Sequence, residues 1–68
     1  MKKSTQREVD QAIKFAPIDP VYAATTLANA SRSASLRDCL AIETAINTLN
    51  LRRFLSVVNG CYVAKVAA

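Results

Sequence analysis

From Leu36 to Leu49 the residues Cys39, Ile42, Ile46 and Leu49 recur at intervals of three and four. That spacing lines them along one face of a helix. Leu36 and Leu40 widen the stripe, which predicts a helix able to bury a broad face against several neighbours. The chain is therefore expected to be organised around this stretch. The residues before it read as further helix, and those after it have a different texture.

The chain has 68 residues, which predicts a single small domain over 1–68. A domain of this size buries only about 60% of the surface its unfolded chain exposes. Small domains often need a staple or a partner. The apolar fraction of 51% is enough to build a core. Much of it is alanine, however, and the bulky side chains are limited to Phe15, Tyr22, Phe54, Tyr62 and a set of Leu, Ile and Val. A homodimer is the expected way to bury more apolar surface.

Thr5-Gln6-Arg7-Glu8 has the form of a capping box for a first helix, with Ser4 as an alternative cap. Val9, Ala12, Ile13 and Ala16 follow as an apolar stripe, and Pro17 ends the helix because the residue before a proline avoids the α region. Asp19 can cap the next helix, with Pro20 at its first position, where no N–H is needed. This second helix is expected from Pro20 to about Ala30, with Ala23, Ala24, Leu27 and Ala28 on one close-packing face. The serines at 31, 33 and 35 predict a break, since serine competes with the helix for backbone hydrogen bonds. Ser35 and Asp38 offer a weaker capping box for the third helix, expected to end near Asn50.

Two readings are open beyond Asn50. Leu51, Phe54, Leu55 and Val58 have helical spacing, with Asn59-Gly60 as a stop, which would make an all-α four-helix arrangement. Alternatively, Asn59-Gly60 supplies the two positive φ angles of a type I′ turn between β-branched and aromatic flanks. In that register Val57 faces Tyr62 and Leu55 faces Ala64, while Ser56 faces Val63 and Phe54 faces Lys65. The hairpin is preferred, because a lone strand from Cys61 to Val66 would lack a partner. The fold class is thus mainly α, three short helices followed by a C-terminal β-hairpin.

Catalytic chemistry is not expected. Without histidine the chain lacks the commonest general base and metal ligand. One glycine cannot build a phosphate-cradling loop. Two cysteines do not make a zinc site without other ligands. Catalytic residues, cofactors and metals are accordingly all read as none. Glu43, at the edge of the apolar stripe, reads as a solvated flank before it reads as a buried ion pair. Cys39 and Cys61 read as reduced thiols, which predicts a cytoplasmic protein. No apolar run approaches the ~20 residues of a membrane span, and Met1-Lys2-Lys3 is not followed by the apolar segment of a signal peptide.

The net charge is +4. Arg32 and Arg37 bracket the start of the third helix, and Arg52 and Arg53 follow its end. A helix–break–helix followed by a hairpin has the plan of a winged helix-turn-helix, in which the third helix would enter the major groove. Arg32, Ser33, Ser35, Arg37, Arg52 and Arg53 are then the candidate nucleic-acid contacts, with Thr44 and Asn47 further along the outward face. The competing reading is a small, non-enzymatic protein-interaction module that associates with itself and with a macromolecular partner. The alanine-lined second helix and the valine-rich hairpin suit it, and a hairpin edge can pair with another sheet. This reading is preferred because it demands less of the sequence, with winged-helix-like nucleic-acid binding as the alternative.

Overall fold

The computed structural model describes residues 2–65. Three helices, α1 (Lys3–Phe15), α2 (Pro20–Ser33) and α3 (Leu36–Thr48), precede a short 3₁₀ turn over Arg52–Phe54. Strands β1 (Leu55–Val58) and β2 (Cys61–Ala64) then form an antiparallel hairpin. The stretch from Leu51 to Val58 is therefore not a fourth helix. Val66, the expected end of the second strand, lies outside the described residues.

Most of the helix boundaries follow local chemistry. After Pro17 breaks α1, the Ile18 and Asp19 N–H groups both donate to the Phe15 carbonyl, at 2.9 and 2.7 Å. The Asp19 carboxylate accepts from the Tyr22 N–H at 3.1 Å, with Pro20 in the first turn of α2. Ser35 caps α3 by accepting from the Asp38 N–H at 3.3 Å. Two boundaries differ from expectation. Helix α1 starts at Lys3, and its cap residue Lys2 makes no side-chain capping bond. Thr5 does not cap but is buried, one turn ahead of Val9 and two ahead of Ala12. Thr5 thus extends the buried stripe backwards from within the helix. Helix α2 continues past Ala30 to Ser33, and the Ser31 hydroxyl donates to the Ala28 carbonyl at 2.7 Å within the helix without ending it. The break shrinks to Ala34 and Ser35, both extended.

Asn59 and Gly60 have φ of 52° and 78°, the paired positive values of a type I′ turn. The register pairs Leu55 with Ala64, Ser56 with Val63 and Val57 with Tyr62. The Lys65 N–H donates to the Phe54 carbonyl at 2.9 Å, which carries the ladder one step further. Leu55 is buried, and Tyr62 and Ala64, on the same face, pack against the core.

The organising element is α2, not α3. It packs against α1, α3, the 3₁₀ turn and both strands, whereas α3 packs chiefly against α2 and α1. The physical reason is side-chain size. Ala23, Ala24, Ala28 and Ala30 are all buried around Leu27, and their small volume lets neighbours approach α2 on more than one side. Helix α3 contributes bulk to the core through Ile42 and Ile46, both fully buried. Leu49 only flanks that core and Cys39 is half-buried.

Leu36 and Leu40 do not widen the buried stripe: they are 83% and 61% exposed. At 3.6 residues per turn they sit roughly 120° round the helix from Ile42 and Ile46. No element of the described residues packs over that side of α3.

Candidate functional site

The exposed face of α3 carries Leu36, Arg37, Leu40, Thr44, Asn47 and Thr48. The Thr44 hydroxyl is turned back onto the Leu40 carbonyl at 3.0 Å. Leu36 and Leu40, one turn apart, form an apolar ridge along this face. Beside the ridge lies a cleft of about 330 Å³ between α3 and the hairpin. Cys39 and Glu43 line it from α3, Arg52 from the 3₁₀ turn, and Val57, Gly60 and Tyr62 from the hairpin. Cys39 and Glu43 are the i+3 neighbours of Leu36 and Leu40, so the ridge is also the rim of the cleft. Contacts between α3 and the hairpin are sparse, which leaves the cleft open.

The candidate contacts Arg32, Ser33, Ser35, Arg37, Arg52 and Arg53 are all exposed. They do not form one cluster. Arg32, Ser33, Ser35 and Arg37 gather at the start of α3, while Arg52 and Arg53 follow its end, roughly 18 Å away for twelve residue steps along a helix. Arg37 thus lies on one side of the leucine ridge, roughly 100° round the helix from Leu36, and the cleft with Arg52 on the other. Of the two serines, Ser35 is already engaged as the α3 cap. Arg53 lies over the Phe54 ring, 4.9 Å from its centroid, which orients that guanidinium. Arg52, Arg53, Asn47 and Asn50 line a shallow depression at the end of α3. Arg37 occupies the first turn of α3, where a positive charge opposes the helix dipole, so helix stability does not explain its place. Of the carboxylates on this side, Asp38 is buried and Glu43 half-buried, so the surface is dominated by positive charge.

A second exposed apolar patch sits at the elbow between α1 and α2. It contains Ile13, Ile18, Val21 and Tyr22, with Ile18 at 75% exposure. Tyr22 stacks edge-on against Phe15, with ring centroids 5.6 Å apart, which stiffens the elbow. Lys14 and Asp19, one of each sign, are exposed in the same stretch. A depression on α1 lined by Lys3, Gln6, Arg7, Asp10, Gln11 and Lys14 belongs to one helix alone, and no second element closes it.

Among the described residues no group of three or more His, Cys, Asp or Glu is placed to hold a metal ion, and no helix is long and apolar enough to cross a membrane. Both cysteines are free, Cys39 half-buried and Cys61 exposed. The Cys39 sulfur lies 3.4 Å from the Ser31 carbonyl and 3.8 Å from that of Ala34, so it ties α3 to the end of α2. No buried side-chain polar atom among the described residues lacks a hydrogen-bond partner. Comparison with protein-family models, with curated proteins and with solved structures gave no match.

Sequence reasoning named the arginines but placed Leu36 and Leu40 in the core. The signal was present: relative to Ile42 and Ile46, both leucines fall off the stripe that the other apolar residues define. The elbow patch was missed because Ile13 falls on the first helix's apolar stripe and Tyr22 counts among the few bulky side chains available to a core.

Proposed function

We propose that this protein is a small, non-enzymatic binding module that associates with itself and docks a macromolecular partner. One observation carries the reading. Large apolar side chains stay exposed at the elbow (Ile13, Ile18, Val21, Tyr22), on α3 (Leu36, Leu40) and on the hairpin (Val57, Val58), while the fully buried large side chains are Leu27, Ile42, Ile46 and Leu51. Large apolar side chains left exposed in groups along the chain and rimmed by charge support an interaction surface. The elbow suits self-association. Its charges balance, so Lys14 of one copy can face Asp19 of the other across a two-fold axis. The positively charged α3 side does not suit a like-charged copy of itself and is left for the partner.

A second reading keeps a specific observation in its favour. Asn47, Arg52 and Arg53 share one depression beside α3, and a hairpin follows, as in a winged helix that binds a nucleic acid. Size-exclusion chromatography with light scattering separates the two. The binding-module reading expects a dimer at low and high salt, a monomer for Ile18→Asp, and no stable complex with a short DNA duplex at physiological salt. A monomeric wild-type chain that binds the duplex, with affinity falling steeply as salt rises, would replace it with the second reading.

A further inference from the structure

We infer that the α3–hairpin surface receives an acidic amphipathic helix of a partner protein; this rests on the binding-module reading and names its partner class. The receptor has three parts. Leu36 and Leu40 form a ridge one helical turn long, 83% and 61% exposed. The cleft beside the ridge has Val57 and Tyr62 on its far wall. Arg37 flanks the ridge, and Arg52 lines the cleft, where the half-buried Glu43 is the one carboxylate among the lining residues.

The dimensions and the charge select the occupant. A helix laid along the ridge can set its own apolar residues, spaced i, i+3 and i+4, against Leu36 and Leu40 and into the cleft. Its flanks would then meet Arg37 on one side of the ridge and Arg52 in the cleft on the other. Carboxylates there gain charge-assisted, two-pronged hydrogen bonds to guanidinium groups. A second copy of this chain fits poorly, because a two-fold contact would bring Arg37 and Arg52 of each copy towards those of the other. Duplex nucleic acid would meet the arginines, but it would leave the leucines against a polar groove. Direct readout relies mainly on hydrogen-bonding side chains that reach base edges, and Leu36 and Leu40 stand exposed on the face that would have to do so.

The test uses the full chain and three fluorescent probes. The first is a synthetic helix-forming peptide with leucines at i, i+3, i+4 and i+7 and glutamates on its flanks. The second is the same peptide with lysine in place of glutamate, and the third is a short DNA duplex. Anisotropy titrations should show the acidic peptide binding at least about tenfold tighter than the lysine peptide, the margin expected for oppositely charged flanks. Backbone amide shifts should move in α3 and at residues 57–62, not at the elbow. Leu36→Ala with Leu40→Ala should weaken the peptide by about tenfold or more. These positions are exposed, so melting temperature should hold. Arg37→Glu with Arg52→Glu should reverse the preference between the two peptides. Ile18→Asp should abolish self-association and leave peptide binding intact. A chain that dimerises through the elbow but binds neither peptide would overturn this inference alone. Equal binding of both peptides, or shifts confined to the elbow, would also overturn it. A monomer that binds only the duplex would overturn the binding-module reading with it.

Discussion

The Leu51 N–H donates to the Ile46 carbonyl at 2.9 Å, across Asn50, which is held at φ 56°. The Asn50 N–H donates in turn to the Asn47 carbonyl at 3.2 Å. Together these bonds close the end of α3 as a Schellman motif. The side chains of Ile46 and Leu51 are both buried in the core, so one motif ends the helix and aims the chain towards the hairpin. Asparagine tolerates this left-handed conformation, whereas a β-branched residue does not. Asn50→Val should cost about 1–2 kcal/mol, and Asn50→Gly should be neutral or slightly stabilising. Urea denaturation of the three proteins checks the order, and equal stability of the valine and glycine variants would contradict the motif.

Ile46→Ala should be the most damaging single truncation on α3. Ile46 is fully buried, and replacing a buried isoleucine with alanine typically costs about 2–5 kcal/mol. Domains are marginally stable by about 5–15 kcal/mol, and small ones sit low in that range. The variant should therefore melt far below the wild type or lack a cooperative transition. By contrast, Leu40→Ala should leave the calorimetric transition within a few degrees of wild type, because Leu40 is exposed.

Gly60→Val isolates the conformational demand of the turn. Nothing lies within 4 Å of a Cβ added at Gly60, so steric contact contributes no penalty. The cost comes from φ of 78° and should be about 1–2 kcal/mol. Amide and Cα shifts should lose strand character in β1 and β2 first, with helical shifts in α1 and α2 surviving longer on mild heating. A hairpin unaffected by the change would show that the turn does not need positive φ at this position.

The caps at the two helix starts should respond unequally. Ser35→Ala removes the bond to the Asp38 N–H and should cost about 1 kcal/mol. Glu8→Ala should change stability by less than about 0.5 kcal/mol, because no capping bond joins Glu8 to Thr5 at the start of α1. A Glu8→Ala cost as large as that of Ser35→Ala, measured by thermal denaturation, would restore the capping box.

What the sequence alone determined was local. Pro17 ended α1, Asp19-Pro20 opened α2, Ser35 opened α3, and Asn59-Gly60 favoured a hairpin over a fourth helix and fixed its register. Each acts through the backbone geometry of a residue or through hydrogen bonds spanning three or four positions, so each can be read without knowing the neighbours. The buried pair Ile42 and Ile46 was legible as well, since a helical period marks one face. Tertiary structure decided the rest. It made alanine-rich α2 the hub, because small side chains gain their value only when other elements stand close enough to use the space. It also buried Thr5 instead of leaving it to cap. Periodicity fixes the angle of a side chain round its helix but not whether another layer covers that angle. No other described element stands over the outward side of α3, so Leu36 and Leu40 faced solvent and Arg37 came to flank a leucine ridge.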